Sequence, residues 1–161
     1  MARIIKNRQI IEDHWQTIAD DVELPTGSVL ISWARWNRER AALLARDEPL
    51  GVRLPNTTNI ADLTADLPHW TLVALEFPKF ADGRAYSQAR LLRERYGYQG
   101  EIRAVGDVLR DQLAFMARSG FDAFAVRADR SLEDALAAFS EFSESYQPAA
   151  DQPLPLYRRG R

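Results

Sequence analysis

Residues 71–105, TLVALEFPKFADGRAYSQARLLRERYGYQGEIRAV, contain the pattern that decides the fold. Their first part, 71–77, is an apolar run that predicts a buried strand, and Pro78 ends it because proline has no N–H for strand pairing. A helix is predicted over about 83–96, where apolar residues recur at three- and four-residue spacing. Residues 101–105 then predict a second strand. Two strands joined by a helix form a βαβ unit, in which the strands run parallel.

The same alternation continues in both directions along the chain. Further strands are predicted at 29–32, 51–54 and 123–126, so that about five strands alternate with helices. This pattern predicts an α/β fold with a mainly parallel sheet and flanking helices. An open flavodoxin-like sandwich is the expected architecture. Half of a (β/α)₈ barrel is the alternative, because its local pattern is the same.

Local signals complete the predicted organisation. Two Ile-Ile pairs, at 4–5 and 10–11, flank a turn and predict an N-terminal hairpin. Residues 1–146 are expected to form a single α/β domain, and the proline-containing segment 147–161 an extended or disordered C-terminal tail. Four polar residues are placed to cap the helices that follow them, namely Asn37, Asn59, Asp107 and Ser131.

Composition excludes several classes of protein. Among 161 residues, 21 are basic and 23 acidic, and this net charge of -2 argues against a dedicated nucleic-acid binder. The chain has no cysteine, which excludes disulfides, iron–sulfur clusters and thiol nucleophiles. Because the sequence has two histidines, a metal site built from several histidines is not expected, and no metal is predicted. No membrane helix and no secretory signal are visible, and the cytoplasm is the expected compartment.

The loops after parallel strands meet at one edge of a sheet, and α/β proteins usually bind their ligands there. In the predicted sheet these loops contain more positive than negative side chains, and helix N-termini add partial positive charge. A small anion is therefore the expected ligand. The candidate residues are Lys79, Arg84 and Arg127 for the anion, with Asp82 and Asp107 to handle protons. The alternative is that these are solvated loop charges, with both aspartates as helix caps.

Other residues allow a functional and a structural interpretation. Glu76 interrupts an apolar strand and could act as an acid or base, although an ion pair with Arg103 on the neighbouring strand is the favoured interpretation. Trp33 and Trp36 could stack on a flat cofactor, although packing over a helix is favoured. No cofactor is identified, since the sequence lacks the G-x-G-x-x-G, P-loop, G-x-S-x-G and H-E-x-x-H motifs.

Three segments resemble one bacterial family of unknown function. They are LEFPKFADGRAYS at 75–87, GEIRAVGDVLRDQ at 100–112 and RSGFDAF at 118–124. The similarity covers roughly residues 70–127 and extends more weakly to the N-terminal Ile-Ile segments. Members of that family are described as probable oxidoreductases of sulfite reduction. Their genes commonly lie beside those of assimilatory sulfite reductase and of the reductase for activated sulfate.

The resemblance implies a role in sulfate assimilation and cysteine biosynthesis. An accessory protein of sulfite reduction, which could dock on sulfite reductase, is the leading hypothesis. The alternatives are an enzyme of sulfur metabolism that binds a small anion and a flavin-binding redox protein. The hairpin and the apolar edges could also support a homodimer. The family supplies no established catalytic residues that could be transferred to this sequence.

Overall fold

The structure is a computed structural model that describes residues 2–78, 83–126 and 131–145, with the side chains of 138 and 140–145 outside the description. Within these residues the chain forms one eight-stranded sheet. The strands are β1 (Arg3–Lys6), β2 (Gln9–Glu12), β3 (Gln16–Thr17), β4 (Val29–Ser32), β5 (Leu50–Leu54), β6 (Leu72–Phe77), β7 (Glu101–Gly106) and β8 (Ala123–Phe124).

Helices follow most of the parallel strands. The α-helices are α1 (Trp33–Leu44), α2 (Arg84–Arg90), α3 (Leu113–Ser119) and α4 (Leu132–Ser145). A π-helical turn, Leu91–Arg95, extends α2, and short 3₁₀ turns occupy Ile60–Leu63, Leu67–His69 and Arg110–Gln112. The predicted alternation of strand and helix is therefore confirmed from β4 to β8.

The strand order makes the sheet curl into a half-barrel. The order is β2-β1-β8-β7-β6-β5-β4-β3, so the six parallel strands β3 to β8 follow one another without a reversal. Because crossovers are right-handed, a sheet built in one direction receives all its helices on one face. A flavodoxin-like sheet reverses its order and receives helices on both faces. The half-barrel alternative therefore describes this sheet, and the flavodoxin-like expectation does not.

The sheet has eight strands and not the predicted five, because three short strands join it through long-range pairing. The predicted hairpin forms, with Asn7 and Arg8 at positive φ in its turn. Its first strand then pairs antiparallel with β8 through Ile5 and Phe124. At the other edge β3, two residues long, pairs parallel with β4. A two-residue strand has too little periodicity to be recognised in a sequence.

One short connection shows how strongly the sheet is curled. Strands β2 and β3 are the two edges of the sheet, yet only residues 13–15 join Glu12 to Gln16. A flat sheet of eight strands would separate its edges by about 34 Å at a spacing of about 4.8 Å. Four peptide units span at most about 14 Å. The edges must therefore approach each other, and the connection passes across the face that the helices do not cover.

We call the helix-covered side of the sheet the outer face and the opposite side the inner face. Strand residues such as Val52, Leu75 and Ile102 point to the outer face and share the main core with Trp36 of α1 and Met116 of α3. Successive strand residues point to opposite faces, so the residues between them point inward. The inner face carries a smaller apolar cluster, with Trp15 of the connection packed against Leu30, Leu72 and Ala74.

The helix starts confirm two of the four predicted caps. Asn59 accepts a hydrogen bond from the Ala61 N–H, and Ser131 Oγ accepts one from the Asp134 N–H at 3.2 Å. The prediction for Asn37 is wrong, because α1 begins earlier and Ser32 Oγ caps it by accepting from the Arg35 N–H at 3.0 Å. The N-cap position of the turn that leads into α3 is occupied by Leu109 and not by the predicted Asp107.

Candidate functional site

The inner face opens into a cavity of about 350 Å³ near the carboxyl ends of the parallel strands. Five successive strands and the residue after β6 supply its walls. The lining residues are Thr17, Leu30, Arg53, Glu76, Phe77, Pro78, Val105 and Gly106. Parallel sheets and barrels carry their ligands at this end of the strands, because the loops there can vary without disturbing the core. We call this space the inner-face cavity.

An ion pair supplies the charged groups of the inner-face cavity. Arg53 Nε lies 2.8 Å from Glu76 Oε2, and both side chains are a little over one-third exposed. The predicted pairing of Glu76 with Arg103 is wrong. Arg103 of β7 and Arg53 of β5 both lie opposite Ala74 of β6, so the register places the two arginines alike with respect to Glu76. Arg103 is bound instead by Glu101 on its own strand, and Arg53 pairs with Glu76.

Gly106 closes one wall of the inner-face cavity in a conformation that other residues rarely adopt. Its φ is +94°, and a Cβ built there would lie 2.6 Å from the Phe77 carbonyl oxygen. That same oxygen accepts a hydrogen bond from the Asp107 N–H at 2.7 Å. The close approach of the ends of β6 and β7 therefore depends on a residue without a side chain.

A second group of charges holds the connection between β2 and β3 against the inner face. Arg103 is 3% exposed, and it donates from Nε to Glu101 at 2.8 Å and from Nη1 to Asp13 at 2.9 Å. Lys6 on β1 completes the group through a 2.8 Å contact with the other oxygen of Glu101. The two carboxylates and two cations balance in charge, as buried charges must. This network and Trp15 cover the part of the inner face away from the cavity.

The structure describes two of the five predicted site residues. Arg84 is the first residue of α2, and Asp107 directly follows β7, so both come after the carboxyl ends of their strands. Neither is among the described residues that line the inner-face cavity. Lys79, Asp82 and Arg127 lie outside the described residues, as does the predicted tail at 147–161. The anion role of these five residues stays a prediction.

Sequence reasoning missed Arg53, although the sequence contains a signal for it. In β5 the residues Val52 and Leu54 are fully buried on the outer face, so the residue between them must point inward. A charged residue at that position, near the carboxyl end of a strand, indicates an inner-face group. The same alternation places Glu76 on the inner face between Leu75 and Phe77. Only the strand pairing brings the two charges together.

Trp36 packs in the core, and the partly buried Trp33 packs against that core, as the structural interpretation predicts. Trp36 is 0% exposed, and its ring meets Trp70 edge to face with 5.3 Å between ring centroids. Trp33 contacts the same ring, also edge to face, at 5.9 Å. A fully buried ring has no open face on which a flat cofactor could stack.

Among the described residues, Asp122 is the carboxyl group whose pKa is raised above its ordinary value. It precedes β8 and lines a second cavity of about 310 Å³ at the opposite end of the sheet. Its Oδ1 accepts from the Ile102 N–H at 2.8 Å and lies 3.4 Å from Arg93 Nη2. Burial is the largest influence and raises the pKa above the ordinary value of 3.8, while the Ile102 hydrogen bond and Arg93 oppose it.

Replacing Asp122 by asparagine is expected to change how stability depends on pH. Below pH 3.8 the carboxyl is protonated in both the folded and the unfolded chain. As the pH rises, the unfolded chain loses this proton first, so the native protein loses stability through this residue until its folded pKa is passed. Asp122→Asn has no such proton. Urea unfolding from pH 3 to 7 should show the variant gaining stability relative to the native protein as pH rises, and a constant difference would contradict this.

Two further observations bear on ligands and membranes. The described residues contain no group of three or more histidine or acidic side chains arranged to hold a metal ion. In the same part of the chain, no helix has the length and apolar character needed to cross a bilayer.

The comparisons with known proteins give a family but no function. Residues 51–157 match the family described as "Bacterial protein of unknown function (DUF934)". No curated protein matches the chain. The matched region begins within β5 and extends past the end of α4, and it contains the described lining residues of the inner-face cavity except Thr17 and Leu30. Because this match covers more than half of the sequence, the chain belongs to the DUF934 family of bacterial proteins.

Proposed function

We propose that the protein is an accessory protein of assimilatory sulfite reduction, in the route to cysteine, and that it binds a small anion of that route in the inner-face cavity. The observation that carries the binding site is Arg53, a guanidinium placed inside a cavity at the carboxyl end of parallel strands. Guanidinium groups bind oxyanions through two parallel hydrogen bonds, which makes arginine the preferred residue for this task.

The pathway assignment is supported by the segments that carry the family resemblance. These segments, 75–87 and 100–112, contain the cavity residues contributed by β6 and β7 and by the residue after β6. They are Glu76, Phe77, Pro78, Val105 and Gly106. The part of the sequence that resembles proteins of sulfite reduction is therefore also the part that forms one side of the inner-face cavity. In this role the protein would dock on sulfite reductase.

An enzyme acting on the bound anion is a second candidate, and Glu76 favours it. Its carboxylate lies beside Arg53 in the inner-face cavity, where it could accept a proton from a protonated oxyanion or return one. A flavin-binding redox role stays a third hypothesis, which the visible absorbance of the purified protein tests directly. A homodimer also stays a prediction, and sedimentation velocity would decide it.

Replacing Arg53 by glutamine is expected to weaken anion binding at least tenfold. A hydrogen bond to a charged group contributes about 1.5–3 kcal/mol, which corresponds to roughly ten- to a hundredfold in affinity. Isothermal titration calorimetry with sulfite, sulfate and phosphate would measure the change. Arg110→Gln is the matched control, because Arg110 is an exposed arginine paired with Asp134 on the helical side of the molecule. Equal binding by both variants and the native protein would contradict the proposed site.

Growth of a deletion strain tests the pathway independently of the site. The proposal expects poor growth on sulfate and on sulfite, with rescue by sulfide or cysteine. A pull-down with sulfite reductase tests the accessory role. Normal growth on sulfite together with no association would remove the assignment to sulfite reduction.

A further inference from the structure

We propose that the ligand of the inner-face cavity is a small, uncharged-side-chain α-amino acid, whose carboxylate binds Arg53 and whose ammonium group binds Glu76. This inference rests on the proposed function, because it places the ligand in the same cavity. It goes further by stating that the ligand carries a positive charge beside the carboxylate that Arg53 binds.

The first argument is the bonding capacity that the ion pair leaves unused. In the described part of the chain, Arg53 has Glu76 as its ion-pair partner, and the contact joins Nε to Oε2. Arginine has two further nitrogens with four N–H groups, and a carboxylate has a second oxygen. The Nη groups of Arg53 and Oε1 of Glu76 therefore remain for a ligand. An α-amino acid carries a carboxylate and an ammonium group on one carbon atom. These two groups are complementary to Arg53 and Glu76, and they are as close to each other as the two side chains are.

The second argument is the charge of the cavity. Among the described residues that line it, Arg53 and Glu76 carry the charges, and these two charges cancel. A simple anion is attracted by the guanidinium but repelled by the adjacent carboxylate at nearly the same distance. A simple cation is attracted by the carboxylate of Glu76 but repelled by the guanidinium of Arg53. A zwitterion gains from both residues, so the pair selects a compound with both charges over compounds with one.

The third argument concerns the remaining walls. Three of the other described lining residues add apolar side chains, namely Leu30, Pro78 and Val105, and Thr17 adds one hydroxyl, while the Phe77 ring packs in the outer-face core. These described walls offer no partner for a third charge, and burying an unpaired charge is costly. The side chain of the amino acid should therefore be small or apolar. A volume of about 350 Å³ lies at the lower end of the range for small-molecule sites.

Calorimetry on the full chain tests the inference with matched compounds. L-valine, L-serine, L-cysteine and L-methionine are titrated first. L-valine is then compared with 3-methylbutanoate, which lacks the ammonium group, and with isobutylamine, which lacks the carboxylate. The inference expects L-valine to bind, and both single-charge compounds to bind at least tenfold more weakly than L-valine; binding by none of the four amino acids overturns it. Equal binding of valine and 3-methylbutanoate overturns it.

Two variants separate ligand recognition from a structural role of the ion pair. Arg53→Gln and Glu76→Gln should each weaken amino-acid binding at least tenfold. Glu76→Gln should in contrast bind sulfite as well as the native protein or better, because the repelling carboxylate is gone. A purely structural ion pair would give no such opposite response. Far-ultraviolet circular dichroism and urea midpoints check that both variants fold.

The outcomes distinguish this inference from the proposed function. Binding of sulfite that depends on Arg53, without binding of any amino acid, overturns the inference and leaves the anion site standing. Binding of neither class overturns both. Amino-acid binding that is unchanged in both variants places the ligand elsewhere and also overturns the inference.

Discussion

Replacing Arg103 by methionine is expected to lower the free energy of unfolding by about 3–5 kcal/mol, the largest effect of any single change proposed for this protein. Arg103 is 3% exposed and is the shared partner of Glu101 and Asp13. Methionine fills similar space but leaves two carboxylates on the inner face with only Lys6 to balance them. Removing one member of a buried charge network costs far more than forming the network gains, because the remaining charges lose their solvation without compensation.

Urea unfolding monitored by tryptophan fluorescence would measure this loss. Arg110→Met is the matched control, because the Arg110–Asp134 pair is more than half exposed on both sides and should cost at most about 1 kcal/mol. A triple variant with Arg103→Met, Glu101→Gln and Asp13→Asn should recover part of the stability, since it removes the unbalanced charges as well. A loss at Arg103 no larger than at Arg110 would show that the network contributes little.

Replacing Gly106 by alanine is expected to cost about 3 kcal/mol and to abolish ligand binding in the inner-face cavity. Two penalties combine at this position. A φ of +94° disfavours any residue with a Cβ, at about 1–3 kcal/mol. The new Cβ would also lie 2.6 Å from the Phe77 oxygen, and backbone shifts that relieve such overpacking cost about 1–3 kcal/mol more. The shift would separate β6 from β7 at the point where both strands line the cavity.

Gly97→Ala is the control that separates backbone strain from collision. Gly97 also has a positive φ, of +61°, but a Cβ built there meets no atom within 4 Å. This variant should therefore lose only about 1 kcal/mol and keep its ligand affinity. Comparison of the two urea midpoints measures what the collision and the larger positive φ at Gly106 add together. Equal losses in the two variants would mean that the close approach of Phe77 and Gly106 is easily relaxed.

The five main strands could be predicted from the sequence because each is a short apolar run next to a helix signal. Val29–Ser32 was predicted with its observed bounds, and β6 and β7 differ from prediction by one residue. The helix caps were less predictable. Asn37 and Ser32 both have cap-forming side chains, and packing of Trp36 into the core decides that the helix starts at the earlier one.

The candidate site was predicted only in its location. The carboxyl ends of the parallel strands do lie on one edge, as the alternation of strands and helices implies. The residues differ, because the predicted anion ligands lie in the loops after the strands, whereas Arg53 lies within a strand. Arg53 and Glu76 lie 23 positions apart in the sequence, and nothing local indicates that their strands are neighbours. The predicted pair of Glu76 with Arg103 is wrong because Arg103 binds Glu101 and Asp13, and only the tertiary structure brings Asp13 near it.

The sequence by itself determined the α/β class, the parallel direction of the main strands and the inward direction of Arg53 and Glu76, because these follow from local periodicity and from the handedness of the chain. Tertiary structure decided the rest: an unreversed strand order, the curl that brings β2 near β3, and the pairing of Arg53 with Glu76. These features depend on contacts between segments far apart in the chain. The free energy that stabilises these contacts comes from the burial of apolar side chains and from strand pairing, and both exist only when the whole sheet has formed.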